Sequence, residues 1–228
     1  MKIHRKLAKL TRPETYRRGW RRAQRSVFRL PFGPVMAKVD ENRLREIQQR
    51  YAGEKYADVD LWLRVNRERV QDLKLHRVPP KRMLDLGCGG GFFLFILKRF
   101  HHSVLGLDID ESPLFRELLD AFGVPRVNFR IEPFQPLPRF EQPFDWITAF
   151  SIGFDRDPNR TSRWGPAEWD FLLAELQSRL APGGKIYLTV NPLPDGKKYL
   201  TREVRDLFLT RGADIERERI FFKQGVRF

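Results

Sequence analysis

Four residues in one short run hold most of the chemical information in this chain: Asp85, Gly87, Gly89 and Gly91, which spell D-x-G-x-G-x-G within MLDLGCGGGFF, Met83 to Phe93. Apolar residues that give way to dense glycine and then resume predict a strand, a tight turn and a helix. Residues without a Cβ tolerate left-handed dihedrals, so such a turn lets the backbone approach a nucleotide-like ligand closely. Further on, Asp108 closes the apolar run that starts at Ser103. A carboxylate at a strand tip can accept hydrogen bonds from both hydroxyls of a ribose, which makes Asp108 the candidate pentose anchor. The spacing argues against two phosphate chemistries. A dinucleotide fingerprint needs its third glycine where this chain has Phe92, and no Gly-Lys-Ser/Thr follows for a phosphate loop.

The elements that must position these residues follow in order. Phe92 to Phe100 predicts a helix and Ser103 to Asp108 a second strand. Val127 to Ile131 reads as a third strand and Pro143 to Phe150 as a fourth. Leu180 to Val190 reads as a helix end, the turn Ala181-Pro-Gly-Gly184 and a fifth strand. In the tail, Lys197 to Gly212 predicts a helix, and Ala213 to Phe228 two short strands around Gln224-Gly225. With these motifs in this order, the segment from about residue 82 to 192 resembles the class I S-adenosylmethionine (SAM) dependent methyltransferases. The resemblance implies an α/β fold: a doubly wound, mostly parallel, seven-stranded Rossmann-like sheet with an antiparallel edge strand, preceded by an N-terminal helical extension. It implies SAM as cofactor, with contacts at Asp85, Gly87, Cys88, Gly89, Gly91, Asp108, Ile109, Glu132, Phe134 and Phe150. Pro133 stands where that family commonly has an acid for the adenine amino group. Glu132, one residue earlier, can take the role or be an ordinary solvated side chain, and the Phe134 N–H can donate to the adenine ring.

Doubly wound sheets bind ligands outside the carboxyl ends of their strands, which places Phe150 to Asp155 beside the transferring methyl group. A hydroxyl acceptor needs a base, and Asp155 is the nearest carboxylate in sequence, so it is the candidate catalytic residue. The polar stretch from Asp155 to Pro166 offers Arg156, Arg160, Arg163 and Trp164 to an anionic or glycan acceptor, or forms a solvated loop. The Asn/Asp-Pro-Pro-Tyr/Phe signature of nitrogen-methylating relatives is missing after the fourth strand, and Asn191-Pro192 reads as a turn.

Charge is spread unevenly over the 228 residues. Residues 1–30 carry eleven lysines and arginines against Glu14 alone, which is +10 of the chain's formal +14. Ile3, Leu7 and Leu10, then Tyr16, Trp20, Ala23, Val27 and Leu30, recur at helical spacing among them. A basic amphipathic arm over 1–34 suits an anionic membrane surface first, packing on the catalytic domain second and RNA phosphates third. Residues 35–80 read as a helical lid or cap, and 81–228 as the SAM-binding domain. Tyr51, Tyr56 and Trp62 are core residues of that cap or contacts over the cofactor. A single cysteine, Cys88, precludes an internal disulfide and argues against a zinc cluster, so no metal is expected. Nothing approaches a membrane span or a secretory signal, and the expected location is cytoplasmic, peripheral at the inner face of the membrane. The leading reading is methyl transfer to an oxygen of a glycan, polysaccharide or lipid-linked sugar, with oligomeric state open. An RNA methyltransferase and a catalytically inactive SAM-binding regulator are the alternatives.

Overall fold

The computed structural model describes residues 39–156, 163–194, 196 and 198–228. The expected arm over residues 1–34 lies outside the described residues. Two helices come first among the described residues: α1 (Glu41–Arg50), capped by the Asp40 carboxylate, and α2 (Val59–Asp72), capped by Asp58. Then come β1 (Arg82–Leu86), α3 (Phe92–Lys98), β2 (Ser103–Asp108), α4 (Pro113–Phe122), β3 (Arg126–Asn128), β4 (Phe144–Ile152), α5 (Pro166–Ser178), β5 (Leu180–Val190), α6 (Arg202–Thr210), β6 (Asp214–Glu216) and β7 (Arg219–Phe222).

The seven strands form one sheet in the order β3-β2-β1-β4-β5-β7-β6. The first five run parallel, and β7 pairs antiparallel with both β5 and β6. Strands covered on both faces need apolar residues on both, and in β1 Met83, Leu84 and Leu86 are all fully buried. Alternation along the strands then sorts the molecule into two cores. Met83, Trp146 and Tyr187 face α1 to α4, whereas Leu84, Leu86, Ile147 and Leu188 face α5 and α6. The same parity turns Asp85, Thr148 and Phe150 toward α2 and α3. α3 is apolar all round because it is packed between the sheet and α2: Phe92 to Leu97 are all buried. Burying each such side chain contributes about 1.5–3 kcal/mol.

The helix pair α1 and α2 is tied down at its ends. The Glu117 carboxylate of α4 accepts from Tyr51 Oη at 2.8 Å and pairs with Arg50 at 2.7 Å. Beyond α2, the His102 ring accepts from the Lys81 N–H at 3.0 Å and meets the Leu75 carbonyl at 2.9 Å. Tyr51, Tyr56 and Trp62 are half-buried against the first core.

Several boundaries differ from the sequence reading. The third strand stops at Asn128, and β4 runs on to Ile152. β5 continues through Ala181 to Gly184, with a register shift opposite Phe144 and Gly183 at φ 72°, so the expected turn is a bulge inside the strand. The final hairpin turns at Arg217-Glu218, not at Gln224-Gly225. Arg217 takes the left-handed conformation, and the Val226 N–H is bound at 2.7 Å by Gln177 of α5, which anchors the Gln224-Gly225 segment to that helix.

Candidate active site

The glycine run leaves β1 and enters α3 through a turn that folds back on β2. The N–H groups of Gly87 and Cys88 both donate to the Leu107 carbonyl, at 2.7 and 3.3 Å. Gly91 begins α3 at φ 74°, and a Cβ there would lie 2.6 Å from Leu119 Cδ2 of α4, so a side chain would be strained in its backbone and would displace Leu119. Gly87 differs: at φ 68° its Cβ would meet nothing within 4 Å. Open space therefore lies over the carboxyl end of β1, at the point where neighbouring strands depart in opposite directions toward β2 and β4.

Asp108 closes one side of this crevice. Its Oδ2 accepts from the Gly89 N–H at 2.5 Å and its Oδ1 from the Ile109 N–H at 2.8 Å. Burial pushes this carboxyl above the usual aspartate range, and the two amide donors oppose that. The Cys88 thiol is wedged against Gly106 of β2, where a Cβ would lie 2.5 Å from Sγ, and burial beside Asp85 and Asp108 pushes it well up. It is a neutral packing group.

The other side of the crevice carries a half-buried cation. Arg69 of α2 lays its guanidinium 4.3 Å from the centroid of the Phe150 ring and donates to Asn66 Oδ1 at 2.9 Å. The Asn66 amide in turn donates to the Trp62 carbonyl at 2.9 Å, which fixes the Arg69 direction. Burial lowers the Arg69 pKa, and Asp85 is the first of the groups that oppose this. Among the described residues Arg69 makes no ion pair. Asp85 is 3% exposed and accepts from Thr148 Oγ1 at 2.6 Å. Desolvation pushes its carboxyl up to about 7, against the Thr148 hydrogen bond and the Arg69 charge. A desolvated carboxyl and a desolvated guanidinium thus share one sheet face without touching. The Phe150 ring stands beside them, edge-on to Phe93 at 4.7 Å.

At the ends of β4 and β5 the backbone is held under strain. Ser151 has φ 54°, which costs a non-glycine residue roughly 1–3 kcal/mol. Its N–H donates to Thr189 Oγ1 at 2.7 Å, and the Asn191 amide donates to the Ser151 and Ile152 carbonyls at 3.0 and 2.9 Å. Asn191 is therefore a brace. Asp155 is buried, with Oδ2 accepting from Arg163 at 2.8 Å and Oδ1 without a partner among the described residues. Burial raises its pKa and Arg163 opposes the rise. Arg163 also donates to the Pro192 carbonyl at 2.6 Å, and the Trp164 N–H to the Asp155 carbonyl at 2.8 Å. Trp164 is 6% exposed, packed 5.6 Å from Trp169 and 5.7 Å from Phe154, so the expectation that it faces a sugar is corrected: it anchors the loop stem. Arg160 lies outside the described residues.

Of the residues expected at the site, Asp85, Gly87, Gly89, Asp108, Ile109 and Phe150 lie around the turn at the carboxyl ends of β1, β2 and β4, whereas Cys88 packs against Gly106 and Gly91 against Leu119. Glu132 is exposed on the loop after β3, and Phe134 beside it is 54% exposed at φ 57°, edge-on to Phe171. Arg69, Thr148 and Thr189 are additions that the sequence reading missed. Three arginines, Arg64, Arg67 and Arg69, fall within six residues of α2, and only the sheet beneath it singles out the last. Among the described residues no group of three or more His, Cys, Asp or Glu could hold a metal ion, and no helix is long and apolar enough to cross a membrane.

The strand order, the glycine turn and the acid at the tip of β2 define a doubly wound α/β fold that binds a nucleoside-type cofactor at its switch point. The family described as a methyltransferase domain matches residues 78–203, and the chain belongs to it, among the class I SAM-dependent methyltransferases. The ubiquinone biosynthesis O-methyltransferase of Acinetobacter baumannii is 29% identical over 124 residues, 53% of this chain and 47% of the relative. That of Acinetobacter baylyi matches to the same extent. The chain spans about half the length of these curated relatives. Among solved structures, the PH0226 protein of Pyrococcus horikoshii is 23% identical with a TM-score of 0.44, covering 57% of this chain and 55% of that one. SAM-bound CalS10, an amino pentose methyltransferase from Micromonospora echinaspora, is 23% identical with a TM-score of 0.40, covering 67% and 58%.

The cofactor of this family is SAM, and the crevice suits it. Space over Gly87 admits a ligand against the backbone, Asp108 stands at the β2 tip for a diol, and the separated charges of Arg69 and Asp85 match the two ends of an α-amino acid.

Proposed function

We propose that this chain transfers a methyl group from SAM to an oxygen of a hydroxylated acceptor, with a glycan, polysaccharide or lipid-linked sugar as the acceptor class. The observation that carries the cofactor half is the arrangement of Asp108, Arg69 and Asp85 around the open space at Gly87. In this reading Asp108 holds the ribose diol, Arg69 the carboxylate and Asp85 the ammonium of the amino-acid end. Gly89, Gly91, Cys88 and Ile109 shape the nucleoside wall. Glu132 and the Phe134 N–H serve the adenine.

When bound, SAM supplies a methyl group already activated on a sulfonium. What remains for the protein is orientation, exclusion of water and a proton. Holding two reactants in line can supply roughly 7–11 kcal/mol of a barrier. Phe150 and Phe93 cover the reacting end with aromatic surface, and the Thr189 and Asn191 brace fixes the Ser151 bulge beside it. Asp155 is the candidate base. Its Oδ2 is held by Arg163 and its Oδ1 is buried without a partner among the described residues, so an acceptor hydroxyl would reach Oδ1 only if the surrounding side chains move, and a carboxyl raised by burial keeps a proton more readily than a solvated one.

The oxygen acceptor is supported by the O-methyltransferase relatives. A lipid-linked acceptor at the inner face of the cytoplasmic membrane is supported by the +10 charge and helical apolar spacing of residues 1–30. The test is methyl-labelled SAM incubated with fractionated lipid, glycan and RNA extracts. Label in lipid or glycan is the expected result. Label confined to RNA would instead establish the arm as a phosphate-binding device. SAM binding with no transfer to any fraction would point to a regulator.

A further inference from the structure

We propose that Arg126 of β3 is a positioning residue for the cofactor: by clamping the Ile109–Asp110 segment behind the tip of β2, it holds the Asp108 carboxylate in the orientation that receives the ribose diol. The inference rests on the reading of Asp108 as the ribose anchor.

Sheet register brings the two residues onto one face. Across the parallel β2–β3 ladder Gly106 pairs with Arg126 and Asp108 with Asn128, so Arg126 and Asp108 share the parity of Gly106, whose bare Cα faces Cys88 and Leu94 of α3. From there the guanidinium reaches beyond the strand end. Nη2 donates to Asp110 Oδ1 at 2.5 Å and Nη1 to the Ile109 carbonyl at 3.4 Å. The Arg126 side chain is 12% exposed, so this pair is screened less than its neighbours on the rim, where Arg116 of α4, 53% exposed, meets the same Asp110 oxygen at 3.1 Å and Arg130 pairs with Glu111 in solvent.

The Ile109 peptide is therefore held from two sides. Its N–H donates to Asp108 Oδ1 at 2.8 Å while its carbonyl accepts from Arg126, and the Gly89 N–H fixes Oδ2 at 2.5 Å. One stretch of backbone links guanidinium to carboxylate. Each carboxylate oxygen, bound once by an amide, keeps a further lone pair for a hydroxyl. Desolvation disfavours the ionised form of Asp108, and the Arg126 charge is among the groups that restore it. An ion pair that merely fastened β3 to the loop would leave the ligand's two hydroxyls indifferent to its loss.

The experiment is isothermal calorimetry of S-adenosylhomocysteine and of its 2′-deoxyribose analogue into the full chain. Arg126→Met keeps the apolar stem and leaves Asp110 paired with Arg116, so no buried charge is stranded. It should bind S-adenosylhomocysteine about tenfold more weakly than the wild type, within the range for residues that share one network, and lose most of the preference for the full diol. In an Asp108→Asn background the same substitution should cost little more, because the group through which it acts is already disabled. Asp110→Ala, which frees the guanidinium from its strongest partner, should likewise lose the diol preference and carries the test if Arg126→Met does not fold. A wild-type diol preference in the folded variant, or an undiminished loss in the Asp108→Asn background, overturns the inference and leaves the cofactor reading standing. A wild type that binds neither ligand, or both equally, overturns the ribose role of Asp108 as well.

Discussion

Asp108→Asn separates two jobs that the native carboxylate performs together. In the free protein Oδ1 and Oδ2 each accept one backbone N–H, from Ile109 and Gly89. The substitution is isosteric, and the amide oxygen keeps one of those bonds. Its NH2 group must then face the other N–H, which was held at 2.5 Å or 2.8 Å, so one charge-assisted bond becomes a donor–donor contact. Losing a hydrogen bond to a charged group costs about 1.5–3 kcal/mol, and stability should fall by that amount in urea titrations. The ribose diol loses the same charge and one acceptor. A further loss of about 3 kcal/mol corresponds to roughly a hundredfold weaker SAM binding, since 1.4 kcal/mol is tenfold. Calorimetry with SAM and with a ribose-deoxy analogue distinguishes the two effects. The wild type should prefer the full diol strongly, and the variant should lose most of that preference. A variant that is destabilised as expected yet binds SAM within about threefold of the wild type would show Asp108 to be a clip on the glycine turn and nothing more.

Other consequences follow from the same contacts. Arg163→Met leaves the Asp155 carboxylate buried and unpaired, and should cost about 3–5 kcal/mol of unfolding free energy, with the double variant Arg163→Met/Asp155→Leu recovering part of it. Gly91→Ala meets both a left-handed φ and Leu119 at 2.6 Å, so its melting temperature should drop well below that of Gly183→Ala, whose Cβ enters open space at a similar φ. Equal drops would mean that α4 yields freely. Burial lowers the His102 pKa in the folded protein below its unfolded value of about 6.5. Its contribution is thus present above that value and lost as pH falls through it, and unfolding free energy should decline more steeply between about pH 7 and 5 for the wild type than for His102→Gln.

Much of this architecture was legible in the sequence where backbone conformation dictates residue type. A strand that must turn sharply under close helix packing needs glycine at Gly91, and a polar strand tip needs an acid at Asp108, so both announce themselves. Side chains whose role depends on a distant partner do not. Arg69 is indistinguishable from Arg64 and Arg67 until the sheet face beneath α2 is known. Asn191 read as a turn because its two acceptors, the Ser151 and Ile152 carbonyls, exist only once β4 and β5 lie side by side. Trp164 read as exposed because its neighbours in sequence are polar, whereas its neighbours in space are Phe154 and Trp169. The last hairpin was misplaced for the opposite reason: glycine marks Gln224-Gly225, but the chain turns at Arg217, a non-glycine residue in a left-handed conformation.

A crystal structure of the full chain grown with S-adenosylhomocysteine addresses the central claim most directly. The ribose hydroxyls should lie on the Asp108 carboxylate, the nucleoside against the backbone at Gly87, and the amino-acid carboxylate on Arg69. Ligand density elsewhere on the molecule, or a ligand in the crevice with its pentose turned away from Asp108 and its amino acid away from Arg69, would contradict it.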